Sequence, residues 1–147
     1  TFISSTFWTE RIGPSAALAT LKIMKREKSW KKITSIGLEM QKGWKELALI
    51  HDLDISIKGI PAITSYNFNS RNSLGYKTLI TQEMLKKGFL ASTNFYACTE
   101  HSFKYLEMYF NLLDVIFKKI KQCESEKLDL NTLLDGPICH SGFKRLN

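Results

Sequence analysis

A mixed α/β domain of the α+β kind is the fold class this sequence predicts: a small mixed or antiparallel sheet with helices packed on one side. Three observations predict it. Two stretches near the start, 10–28 and 29–50, carry apolar residues at the three- and four-residue spacing of a helix face. Next, 54–60 and 62–68 alternate apolar and polar residues as half-buried strands do. A last stripe of Phe103, Leu106, Phe110, Leu113, Phe117 and Ile120 is helical again. Helix, helix, strand pair, helix, short strands, helix is an order that packs helices against one face of a small sheet.

The elements follow in turn. The hydroxyl-rich stretch Thr1–Pro14 feeds the alanine-rich Ser15–Leu21, whose composition reads as a buried helix from about Glu10 or Pro14 to Lys28. Ile12, Ala16, Ala19 and Ile23 share a face, and Ala17, Leu21 and Met24 widen it. Its small alanines suit close approach of another helix or subunit, and equally suit ordinary core packing. The preceding hydroxyls either cap the helix or, with its unpaired N–H groups, hold an anion. Ser29 caps a second helix toward Ile50, with Ile33, Ile36, Met40, Trp44 and Leu47 as its core stripe. Gly37 and Gly43 weaken this helix locally and permit tight packing.

Pro61 divides the two alternating strands, which form a hairpin or neighbours. Asn69–Gly75 reads as a loop, Lys77–Lys87 as a short helix stopped by Gly88. Phe89–Ser92 and Asn94–Cys98 then read as two short strands. Thr99 or Ser102 opens the last long helix, and Leu128–Leu134 makes a short one ending at Gly136. His101 at the helix start is a cap or surface group rather than a general base.

Composition narrows the function. A length of 147 residues suits one domain, 1–147, with a real core. Lys and Arg outnumber Asp and Glu by 21 to 14, a net charge of +7, which raises a basic nucleic-acid-binding module as an alternative. The basic residues are scattered over helix surfaces and ends, no groove-reading motif occurs, and the aromatics fit apolar stripes, so no nucleic-acid partner is expected. No apolar run is long enough to cross a bilayer, so no membrane partner is expected either. Cys98, Cys123 and Cys139 are odd in number and widely spaced, as reduced thiols of a cytoplasmic protein would be. They and His51, His101 and His140 are too scattered for a metal site, and none is expected.

One resemblance gives these elements a chemistry. Ser5-Thr6-Phe7-Trp8-Thr9-Glu10-Arg11-Ile12 and the alanine-rich helix resemble the segment after the cofactor lysine in class III pyridoxal-phosphate (PLP) aminotransferases. The likeness is narrowest to the glutamate-1-semialdehyde aminotransferase (2,1-aminomutase) branch. Gln82–Ser92, then Phe95 and the helix after His101, resemble that family's C-terminal part in the same order, so the likeness spans nearly the whole chain.

The resemblance implies the small C-terminal domain of a fold-type-I PLP enzyme, acting as a homodimer on a small-molecule amino donor and acceptor. It implies that Thr6, with Ser5 beside it, contacts the cofactor phosphate of the other subunit. It also implies that Ser92, Asn94 and Tyr96 lie near the substrate, on the segment that curls back beside the active site. The family's lysine for the cofactor aldehyde falls upstream of Thr1, so no catalytic residue is expected here and the chain alone is expected to be inactive. A first residue of threonine rather than methionine fits a segment that starts inside a longer chain. Where the aminomutases carry a glutamate after the phenylalanine, this sequence has Tyr96. That favours transfer between two substrates over the aminomutase reaction.

Overall fold

The computed structural model describes residues 10–142. Glu10 opens the first helix by accepting the N–H groups of Ile12 at 2.6 Å and Gly13 at 3.1 Å. A carboxylate there satisfies free donors of the helix start and meets the positive end of its dipole. Helix α1 spans Ile12–Glu27, with Pro14 in its first turn, where a missing N–H leaves no bond unmade. Lys28 turns left-handed (φ 50°), its N–H bonds Met24 O, and α2 follows as Ser29–Ile50. Ser29 is therefore the first residue of α2 rather than its cap, and its hydroxyl has no hydrogen-bond partner among the described residues.

The expected burial of α1 does not occur among the described residues. None of its residues is buried, and Ile12 and Leu18 are 78% and 61% exposed. Apolar periodicity shows that a face is meant to be covered without showing by what, and the described residues leave this one open. Helix α2 does bury its stripe, through Ile36, Met40, Trp44 and Leu47.

Strands β1 (Ile55–Ile60) and β2 (Ile63–Phe68) form an antiparallel hairpin, paired from Ile55↔Phe68 to Ile60↔Ile63. A third strand, β3 (Asn94–Tyr96), joins the other edge of β2 with the pairs Ile63↔Tyr96, Thr64↔Phe95 and Ser65↔Asn94. The sheet order is β1-β2-β3. Side chains alternate along a strand, so Thr64, Tyr66 and Phe68 share the buried face. Trp44 of α2 lies 4.7 Å from Tyr66 between ring centroids. Helix α3 (Ser73–Lys86) brings Tyr76 to 5.4 Å from Phe68, and α4 (Phe103–Glu124) brings Phe117 to 5.5 Å from Phe68. All three helices therefore pack on one face, and these tilted and edge-on aromatic pairs form the centre of the core.

Gly37 explains how the hairpin meets α2. A Cβ there would stand 1.8 Å from the carbonyl oxygen of Pro61, so the hairpin tip rests against bare helix backbone.

Several boundaries differ from the expected ones. Helix α3 begins at Ser73, four residues before Lys77, because Tyr76 is buried and Gly75 lies under Leu130. Tertiary packing overrides the turn preference of Ser, Asn and Gly there. Gly88 (φ 80°) ends this stretch as expected, with Gly88 N–H donating to Leu85 O and Phe89 N–H to Met84 O. The residues after it, Phe89–Ser92, are not a strand; β3 is the only strand formed between α3 and α4.

Ser102 caps α4 by accepting the N–H of Tyr105. Phe103, expected in the apolar stripe, is 66% exposed, while Tyr109 and Ile116 take core places beside Leu106, Leu113, Phe117 and Ile120. The expected helix at Leu128–Leu134 is a single 3-10 turn, Leu130–Leu133, capped by Asp129. Gln82 straps the following tail to α3, donating to Leu133 O at 2.8 Å and accepting from Asp135 N–H at 2.7 Å. Farther along, Cys139 N–H donates to Thr78 Oγ1 at 3.0 Å.

Candidate functional site: a cavity beside β3

Because Phe89–Ser92 stays out of the sheet, a cleft opens between this segment, β3, α2 and the first half of α4. Its volume is about 260 Å³. Ser92, Asn94 and Tyr96, the three residues expected near the substrate, all line it. Ser92 is held by Thr81, whose hydroxyl donates to Ser92 Oγ at 3.1 Å. Asn94 and Tyr96 are fixed by their register opposite Ser65 and Ile63. Deeper walls come from Met40, Phe95 and Leu106.

Three groups that sequence reasoning did not assign to the site also shape it. His101 lines the cavity and lies against Phe95, ring centroids 4.8 Å apart. Its Nδ1 accepts the N–H of Cys98 at 3.1 Å, so the neutral ring carries its hydrogen on Nε2. Tyr109, also in the lining, accepts from Trp44 Nε1 at 2.9 Å. Burial pushes its hydroxyl up to about 12, so it stays protonated at neutral pH. Tyr105 completes the α4 side. Tyr105 and Tyr109 stand one helical turn apart, a spacing visible in the sequence. The stripe through Phe110 masked it, since both sets fit a helical period.

Behind the cavity, Tyr66 is fully buried, and its hydroxyl makes no hydrogen bond among the described residues. Burial drives it well above the usual phenol range, and the neighbouring Tyr109 adds to the rise.

The main ionic cluster lies apart from this lining. Glu83 Oε2 accepts from Lys119 at 2.9 Å and Glu83 Oε1 from Lys86 at 3.1 Å, and Lys86 also reaches Asp135 at 2.8 Å. Burial pushes the Glu83 carboxyl up, but the hydrogen bonds from Lys119, Gln82 and Lys86 outweigh it and hold it down to about 2. This cluster ties α3, α4 and the tail together. His51 Nε2 and Asp114 Oδ1, 2.7 Å apart, tie the end of α2 to α4 in the same way.

Among the described residues no group of three or more His, Cys, Asp or Glu is placed to hold a metal ion, and the three cysteines are free. No described helix is long and apolar enough to cross a membrane. Ser5 and Thr6, the expected phosphate contacts, lie outside the described residues.

No family model matches the chain, and no curated protein matches it. Among solved structures it is similar to the FumI protein of Sphingopyxis sp. MTA144 in its PLP internal aldimine form, with a TM-score of 0.72 and 16% sequence identity. The match covers 91% of this chain and 33% of that one, so this chain spans about a third of the length of the protein it resembles. At that identity the likeness is one of fold. The expected small α+β architecture, with an antiparallel sheet and helices on one face, is the fold observed.

Proposed function

We propose that this chain is the C-terminal domain of a longer PLP-dependent aminotransferase of class III, nearest in kind to the glutamate-1-semialdehyde branch. The observation that carries the proposal is the fold match: nearly all of this chain superimposes on one third of a PLP-bearing protein. The ordered sequence resemblance from Ser5 to the α4 helix supports it independently of the coordinates. The open apolar face of α1 supports it too, because a larger domain or a second subunit of a homodimer would cover it.

PLP, when bound, accepts the amino group of a donor and acts as an electron sink. Among the described residues no lysine or arginine lines the cavity beside β3. In this reading the phosphate contact falls to Thr6 and Ser5, reaching across the dimer. Ser92, Asn94 and Tyr96 form the substrate-side wall, orienting the substrate and excluding water. The aldehyde-binding lysine belongs to the preceding domain, so this segment alone does not catalyse. The enzyme works in the cytoplasm, as its unpaired thiols suggest.

Tyr96 favours amino transfer between two substrates over the aminomutase reaction, since a neutral phenol stands where the mutases place a carboxylate. The test is to express the longer protein, load it with PLP, and follow the cofactor absorbance as donors and acceptors are added. A cofactor band that responds to a donor, and product that forms only with a second substrate, is the expected result. Rapid formation of 5-aminolevulinate from glutamate-1-semialdehyde alone would replace the aminotransferase with the aminomutase. A protein with no cofactor band at all would overturn both.

A further inference from the structure

We infer that the cavity beside β3 is a side-group pocket, and that one of the enzyme's two amino-transfer substrates carries an uncharged alkyl or aryl group that enters it. The inference rests on the aminotransferase reading and deepens it by naming a substrate class.

Size is the first argument. A volume of about 260 Å³ equals that of about nine water molecules in the liquid, room for a short alkyl chain or one aromatic ring. Whole small ligands fill larger pockets, and a partner helix needs a groove, so the space suits one substituent of a substrate held elsewhere.

Charge is the second argument. Among the described residues the lining contains Met40, Phe89, Phe95 and Leu106, and no Asp, Glu, Lys or Arg. A carboxylate or ammonium placed there would lose its water with no lysine, arginine or carboxylate among the described lining residues to replace it. The polar groups present, Ser92, Asn94, His101 and Tyr109, suit at most a neutral hydroxyl, ether or carbonyl on the incoming group. With Tyr109 protonated and its oxygen taken by Trp44, the described lining residues include no anion to attract a cation.

Exposure is the third. Leu90, Tyr96 and Tyr105 belong to this lining and are 96%, 67% and 54% exposed, while Met40, Leu106 and Tyr109 behind them are buried. An apolar mouth in front of a fixed wall lets a hydrocarbon group leave water without rearranging the core.

The experiment uses the PLP-loaded longer enzyme and a series of unbranched primary amines, alongside donors of matched length that end in a carboxylate. In this series kcat/KM rises about fourfold per methylene until the pocket is full, and then levels off. The carboxylated donors run at least tenfold below their alkyl counterparts. Ala91→Phe fills the pocket and flattens the chain-length dependence, and the smaller Ala91→Val flattens it in part. The cofactor absorbance and melting temperature of each variant show that it is folded and loaded.

An active enzyme whose rates ignore chain length, or that prefers the carboxylated donors, overturns the pocket while leaving the aminotransferase standing. An unchanged chain-length series in a folded Ala91→Phe also overturns it, by placing the chain elsewhere. Failure to bind cofactor removes the reading beneath it and the pocket with it.

Discussion

Two tyrosines in contact with the same tryptophan environment should respond in opposite directions to the same chemical change. Tyr109→Phe removes the oxygen that accepts the Trp44 indole N–H at 2.9 Å. Trp44 is fully buried, so its N–H is left without water or another acceptor. Orphaning a buried donor costs about 1–3 kcal/mol. In a protein of this size that lowers the melting temperature by roughly 3–10 °C. Tyr66→Phe also deletes one buried hydroxyl, on a ring whose centroid lies 4.7 Å from that of Trp44, but this hydroxyl makes no hydrogen bond among the described residues. Its removal ends a desolvation penalty without breaking anything, and stability should rise by about 1 kcal/mol. Thermal and urea unfolding of the two variants beside the parent measure both signs. Equal destabilisation would refute the reasoning, for it would mean that the Tyr66 hydroxyl is partnered in solution.

Three more outcomes are expected. Gly37→Ala forces a methyl group into the Pro61 carbonyl, and because the obstacle is backbone the urea midpoint should fall by the equivalent of about 1–3 kcal/mol. Glu83 has a folded pKa of about 2, below its ordinary value of 4.5, so its contribution is present above pH 4.5 and lost as pH falls toward 2. The melting-temperature gap between the parent and Glu83→Gln should therefore be widest near neutral pH, narrow below pH 4.5 and close as the pH drops toward 2. In the dimeric enzyme proposed above, Thr6→Val should weaken PLP retention by about ten- to a hundredfold without unfolding the protein, as measured by equilibrium dialysis; unchanged retention would return Thr6 to a helix-capping role.

Local period and punctuation carried much of the fold. Helix α2 has its expected limits, the hairpin strands fall within a residue of theirs, and Gly88 ends α3's capping turn. The misses share a cause, which is contact with something distant in sequence. Ser73–Tyr76 is helical because Leu130 covers Gly75 from more than fifty residues away, which no local rule anticipates. Phe89–Ser92 has strand-like residues, yet Gly88 and the Phe89 N–H bond to Met84 hold its start to the helix end. The site divided similarly. Ser92, Asn94 and Tyr96 came from a resemblance and do meet at one cavity, whereas His101 and Tyr109 needed three-dimensional placement to join them. The exposure of α1 belongs to the same class: its cover, in the proposed enzyme, is on chain that lies beyond these residues.

The strap at Gln82 bears on how this protein can diverge. One side-chain amide grips Leu133 O and Asp135 N–H, and Thr78 grips Cys139 N–H, so three of the tail's anchors read peptide groups that almost any amino acid supplies. These bonds demand identity on the helix that does the gripping; on the segment that is gripped, Asp135, paired with Lys86, and Leu134, packed against the core, are the positions held to theirs. Substitutions at the open positions Gly136 and Ile138 should therefore accumulate with little penalty, while the single change Gln82→Leu would undo the grip on Leu133 and Asp135 at once. Comparing relatives of this chain by the similarity of their tails would accordingly understate their kinship, and a conserved glutamine on a neighbouring helix would be the better mark of descent.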